Sequence, residues 1–151
     1  MKSAQTKLMQ YLEKQYRLKQ YRLKQQEESE KYRLGEIARH LEEIKQLQPG
    51  WCSGEGGTFS PEGIDWLFQA FKENYPASTL HPEMFPTVGG HVLMDWRLEP
   101  WRPTLQINVL TKRGLWFSLL SVDEPRWKNL DLSTEAAWGW LVRQIQWMVA
   151  R

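Results

Sequence analysis

Residues 34–51, Leu-Gly-Glu-Ile-Ala-Arg-His-Leu-Glu-Glu-Ile-Lys-Gln-Leu-Gln-Pro-Gly-Trp, mark where this chain changes character. Leu34, Ile37, Leu41 and Ile44 recur three and four apart, the spacing that lines up one face of an α-helix. Pro49-Gly50 then reads as a stop, since proline removes a helix donor and its ring clashes with the preceding turn. Trp51 is the first of nine tryptophans. The stretch therefore divides a tryptophan-free helical arm, residues 1–49, from a tryptophan-rich domain, residues 50–151.

On the arm side, no proline falls between Ser3 and Gln48 and the single glycine is Gly35. Leu, Gln, Lys, Arg and Glu, all good helix formers, fill the rest. An unbroken helix of about 45 residues would run roughly 67 Å. A domain of the remaining length cannot cover it along its whole course, so it must find a second helix, bend, or stay solvated. Met9, Leu12, Tyr16, Lys19 and Leu23 form a partial heptad stripe, and Leu34, Ile37, Leu41 and Ile44 a cleaner one. The first register, continued, puts Gln26, Glu30 and Arg33 in the seam, so the stripes do not join. The pattern predicts two helical segments, or one helix with a weak middle around Glu27 to Gly35. Met9, Leu12, Tyr16, Leu23, Leu34, Ile37, Leu41 and Ile44 are the candidate oligomerisation residues of a coiled-coil homodimer. The competing expectation is an ordinary amphipathic helix lying on its own domain.

Charge follows the same division. The chain carries a net +2, but Met1 to Lys24 holds seven bases against Glu13 alone. Gln15-Tyr16-Arg17-Leu18-Lys19 repeats at once as Gln20-Tyr21-Arg22-Leu23-Lys24, echoed by Tyr32-Arg33-Leu34. A period of five turns each copy by about 140° on a helix, which spreads Tyr and Arg around the axis. Lys14, Arg17, Lys19, Arg22 and Lys24 are the candidate DNA or RNA contacts, with tyrosines able to stack on bases. The plainer reading is a solvated helix kept soluble by its charges.

The domain reads as α+β. Trp51 to Thr58 is glycine-rich. Ser60-Pro61 has the form of a helix cap followed by proline at the first turn. A helix is expected from Pro61 to Asn74, with Ile64, Leu67, Phe68 and Phe71 inward and Trp66 to one side. Met84 to Val88, Gly89-Gly90 and His91 to Leu98 predict a hairpin. Thr104 to Thr111 alternates with Leu105, Ile107 and Val109 inward. Lys112-Arg113-Gly114 reads as a turn before a fourth strand, Leu115 to Val122. Trp116, Phe117, Leu119 and Leu120 make that strand apolar on both faces, as for one covered on both sides or an edge covered by a helix. Asp123 to Leu132 is expected to be a loop. Ser133 should cap a last helix to about Ala150, with Ala137, Leu141, Ile145 and Met148 inward, widened by Trp138, Val142 and Val149. The predicted architecture is a long helix, a helix, a four-stranded antiparallel meander and a C-terminal helix, with the helices on one face of the sheet. Trp140 and Trp147 fall off the apolar stripe and are assigned to a partner surface or to packing against a loop.

Chemistry is sparse. Gly54-Glu55-Gly56-Gly57 lacks the preceding strand and the spacing of a dinucleotide loop. Cys52 with His40, His81 or His91 is the one nucleophilic arrangement available for a small hydrolase. His81 with Glu83, and His91 with Asp95, are too few ligands for a metal. Asp95 with Glu99, and Asp123 with Glu124, look like strand-end and turn carboxylates, not a glycosidase pair. No cofactor and no metal are expected. One cysteine excludes an internal disulfide framework, and no run of about 18 apolar residues predicts a membrane span. The first 30 residues are polar, unlike a secretory signal, so the expected compartment is the cytoplasm.

Gly50-Trp51, Pro82, Phe85-Pro86, Gly89-Gly90 and Asp95-Trp96 together resemble a group of small bacterial proteins. That group shares a Gly-Trp lead-in and a Pro…Gly-Gly…(Asp/Glu)-Trp hairpin. The resemblance spans residues 50–120 and leaves the arm uncovered. Cys52 stands where an acidic residue is the pattern, and Asp95 where glutamate is. It implies a bacterial or mobile-element origin and brings no activity with it.

The sequence thus points to a non-enzymatic interaction protein that self-associates or docks on a larger protein through its arm. An accessory subunit of a nucleic-acid-handling or bacterial defence complex is the expected setting. An antitoxin-like or regulatory protein binding a toxin or DNA is the alternative.

Overall fold

The computed structural model describes residues 3–120 and 126–151. It has three helices and a five-stranded antiparallel sheet, an α+β fold. Helix α1 spans Ala4–Lys45, α2 Pro61–Asn74 and α3 Glu135–Val149; strands β1 to β5 are Glu83–Pro86, Val92–Asp95, Thr104–Asn108, Arg113–Phe117 and Trp127–Asp131. The chain divides into two compact units, one ending at Arg33 and the other running from Leu34 to Arg151. That boundary falls inside α1 and not at Pro49-Gly50. The reason is that Ile37, Leu41 and Ile44 are buried in the core of the second unit, with Leu34 packed against it.

Residues 27–35, the expected weak middle, are all helical within α1. Gly35 would meet nothing within 4 Å if it carried a Cβ, so it does not serve to admit a close neighbour. The favourable propensity of the flanking Leu, Lys, Arg and Glu carries the helix across it.

In the second unit the sheet is a simple meander, β1-β2-β3-β4-β5. Register puts Met84 opposite Met94, Met94 opposite Leu105, Leu105 opposite Trp116, and Gly114 opposite Leu130. These residues are all buried. Alternation with period two therefore gives the sheet one covered face. Leu67 and Phe71 of α2, Trp138, Leu141 and Ile145 of α3, and Ile37, Leu41 and Ile44 of α1 complete the same core. Ser60 caps α2 by accepting from the Gly63 N–H at 3.0 Å, with Pro61 behind it, as its sequence predicts. Gly63 lets α2 approach closely: an added Cβ would lie 2.7 Å from Cγ2 of Val109.

Three details differ from expectation. The meander has five strands, because Trp127–Asp131 forms β5 where a loop is predicted. The turn between β3 and β4 falls earlier, at residues 108–112, since the Asn108 carboxamide oxygen accepts from the N–H groups of Leu110 and Thr111; Arg113 and Gly114 then belong to β4. Thr134, not Ser133, caps α3, accepting from Ala137 N–H, while Ser133 bonds to Asp131. The end of the predicted fourth strand, Ser121 and Val122, and the pair Asp123-Glu124 lie outside the described residues.

Candidate interaction surfaces

The glycine-rich segment after α1 is an ordered ring. Gly50 N–H donates to Gly56 O at 2.8 Å, Gly54 N–H to Gly50 O at 3.1 Å, and Cys52 and Glu55 exchange two backbone bonds of 2.9 Å. The Trp51 indole N–H donates to Gly57 O at 3.1 Å and lies where a Gly56 side chain would be. The glycines serve this wrapping, which is a structural use of the motif. Cys52 is exposed on the ring.

The histidines and carboxylates are each engaged locally. His40 Nε2 lies 3.9 Å from Glu36 on α1. His81 Nδ1 is 2.8 Å from Thr79 O, and its ring meets Phe71 and Tyr75 edge-on. His91 pairs with the Gln106 amide, while Asp95 accepts from Arg97 N–H at 2.9 Å. Glu83 takes Arg97 at 3.1 Å and Glu99 takes Arg102 at 3.1 Å. The short-range pairs read from the sequence are thus directed to different partners. Among the described residues no group of three or more His, Cys, Asp or Glu is placed to hold a metal ion.

Among the described residues, clefts border the core. One, of about 350 Å³, lies beside α2 and the start of α3, with Lys112 over the Trp66 ring and Glu73 and Glu135 on its wall. The other, of about 240 Å³, is largely apolar and lies between His40, Ile44 and Leu47 and the β1 residues Met84, Phe85 and Pro86. In neither does a buried polar side chain lack a partner.

Exposed apolar surface is concentrated in two places. On α1, Leu8, Met9, Leu12, Tyr16 and Leu23 are between 44% and 65% exposed, and every residue from Ser3 to Ser29 is exposed. Of the basic residues there, Arg17 reaches Glu13 at 4.0 Å, with both side chains largely in solvent. Among the described residues Lys14, Lys19, Arg22 and Lys24 make no ion pair. The sequence-predicted oligomerisation set is therefore split: Met9, Leu12, Tyr16 and Leu23 are open, whereas Ile37, Leu41 and Ile44 are spent in their own chain's core.

The second place is the uncovered face of the sheet. Phe117 stands opposite Trp127 in the β4–β5 ladder, and Leu115 opposite Asn129. Leu115, Phe117 and Trp127 are 43%, 45% and 61% exposed. Leu119 and Leu120, which follow β4, are also exposed, and Leu119 N–H donates to Trp101 O at 2.7 Å. The fourth strand's two-sided apolarity predicts cover on both sides or an edge covered by a helix; among the described residues the cover lies on the Trp116 side. The signal for this surface was in the sequence, but without β5 the alternation of Leu115, Phe117 and Leu119 had no partner row.

Trp140 and Trp147 do not share one surface. Trp140 sits edge-on to Trp116 at 5.5 Å, with the Lys128 ammonium 4.6 Å from its ring. Trp147 meets Trp101 of the 99–103 connection at 5.8 Å, with Arg151 over it at 4.6 Å. Both are engaged by their own chain, although Trp147 remains partly exposed.

No described helix is long and apolar enough to cross a membrane. Comparison with protein-family models, with curated proteins and with solved structures gives no match.

Proposed function

We propose that this chain is a non-enzymatic interaction protein that self-associates through the first part of α1, as an accessory subunit of a nucleic-acid-handling complex. The supporting observation is the open stripe Met9, Leu12, Tyr16 and Leu23 on a helix that its own unit leaves bare. Long helices in water draw most of their stability from burying an apolar face. A coiled-coil pairing with a second copy buries this stripe while Lys and Arg stay in solvent. Sedimentation of the full chain tests it. Wild type should associate at tens of micromolar, and the pair Leu12→Lys with Tyr16→Lys should weaken association at least tenfold. A wild-type monomer at that concentration removes self-association.

The basic residues supply the nucleic-acid part of the reading. Four neutral substitutions at Lys14, Lys19, Arg22 and Lys24 should lower affinity for DNA or RNA and flatten its salt dependence, by nearly one unit of slope per lost phosphate contact. Binding that ignores both salt and these substitutions leaves only the protein-partner role. The bacterial defence setting rests on the hairpin resemblance alone.

A further inference from the structure

We infer that the uncovered face of the sheet is a second, independent self-association surface, on which two copies pack sheet against sheet. Its centre holds Leu115, Phe117, Trp127, Thr104, Gln106 and Asn129, none of them charged. Charged groups of the same face border this field: Asp95 beside Thr104, Glu83 with Arg97 toward β1, and Arg113 and Asp131 at the other end of β4 and β5. A neutral, aromatic centre with charges at its margin is the composition of a protein–protein interface core, and it offers phosphate nothing to pair with.

Area and symmetry favour a second copy as occupant. Leu115, Phe117 and Trp127, between 43% and 61% exposed, together with the half-buried Phe85 and Leu93 of the same rows, make a patch on the order of 400 Å², within the range of the largest patch a monomer ordinarily shows. With the polar rim this approaches the roughly 800 Å² each partner contributes to a standard interface. An isologous dimer puts the same patch against itself, and an uncharged field does so without like-charge repulsion. Two twisted sheets stack at about 10 Å with their side chains interleaved. Pairing through the β5 edge is disfavoured instead: Lys128 points to the covered face of that edge strand, and an inward-pointing charge there opposes edge-to-edge addition.

The experiment uses the full chain, with sedimentation velocity over a concentration series. Four proteins are compared: wild type, the arm pair Leu12→Lys/Tyr16→Lys, the sheet pair Phe117→Thr/Trp127→Thr, and all four changes together. Threonine keeps strand propensity at exposed sheet positions, and circular dichroism checks folding. Trp127→Thr alone replaces the pair if the pair melts early. The arm variant should remain dimeric, with its dimer dissociation constant raised at least tenfold by the sheet changes, and the fourfold variant should be monomeric. Wild type, with two surfaces, should exceed a dimer. An arm variant that is monomeric, or a dimer indifferent to Phe117 and Trp127, overturns the inference and leaves the arm reading intact. A monomeric sheet variant beside a dimeric arm variant does the reverse.

Discussion

The indole N–H of Trp96 donates to the phenol oxygen of Tyr75 at 2.9 Å, and that phenol in turn donates to Leu80 O. One buried hydroxyl thus ties the end of β2 to the C-terminal cap of α2. Tyr75→Phe keeps the ring that stacks on Phe71 at 4.6 Å but strands a buried N–H and a carbonyl. An unsatisfied buried group costs about 1–3 kcal/mol, so urea denaturation should show a loss in that range with little change in slope.

Burial pushes the Tyr75 phenol well above the ordinary tyrosine value, against a smaller opposing effect of the Trp96 bond. In the unfolded chain it titrates near 10. The folded state therefore keeps a proton that the unfolded state releases. The associated stability is whole below about pH 10 and drains away as pH rises toward the folded value. Tyr75→Phe lacks this contribution, so the difference between the two proteins isolates it. The stability gap between wild type and Tyr75→Phe should narrow between pH 8 and pH 10.5; a gap that widens would contradict the assignment.

Two helical glycines should respond in opposite directions to alanine. At Gly63 the new methyl would lie 2.7 Å from Val109 Cγ2 and 3.2 Å from its carbonyl oxygen, so α2 must shift. Overpacking of this kind costs about 1–3 kcal/mol, against a helix-propensity gain of about 1. At Gly35 nothing lies within 4 Å, so the propensity gain of about 0.5–1 kcal/mol stands alone. Paired thermal melts should show Gly63→Ala lowered and Gly35→Ala raised.

The parts of the fold that were legible are those whose local chemistry agrees with their packing. Ser60-Pro61 and the face Ile64, Leu67, Phe71 specify α2, and Gly89-Gly90 separates two alternating runs. Strand β5 was not legible because its alternation is inverted. Trp127 faces out, Lys128 faces in against Trp140, and Leu130 is the single apolar residue pointing to the core. No period-two signal survives that exchange. For the same reason the sequence alone makes the aromatic face at Phe117 look covered. On α1, spacing identifies both apolar stripes and directs the second to the domain or to its copy in a dimer, but choosing between those two depends on where the chain returns. The Trp51 ring was invisible for another reason: its glycines are set by positive φ and by an indole in van der Waals reach, neither of which a composition reveals.

That ring makes a sharp contrast between neighbours. Gly56 has φ +93°, and a Cβ there would lie 2.4 Å from the Trp51 indole nitrogen. Gly56→Ala should cost about 1–3 kcal/mol through backbone strain and loss of the indole bond to Gly57. Cys52, exposed on the same ring, should tolerate serine within about 0.5 kcal/mol. Denaturant midpoints of the two variants check this. Equal losses would mean that the ring is held by something other than its glycines.

The two stripes of α1 should separate stability from association. Leu41 is 2% exposed in the core of the second unit, so Leu41→Ala opens a cavity and should cost about 2–5 kcal/mol at any protein concentration. Leu12 is half exposed, and Leu12→Ala removes no packing within its own unit. Its effect should appear only where chains meet, as a fall in apparent stability that vanishes on dilution, because association stabilises by mass action. Melting temperature against concentration, for wild type and both variants, distinguishes them. Parallel curves are expected for Leu41→Ala, and curves that converge at low concentration for Leu12→Ala. A Leu12→Ala loss that persists on dilution would place that side chain in the intramolecular core and remove it from the association surface.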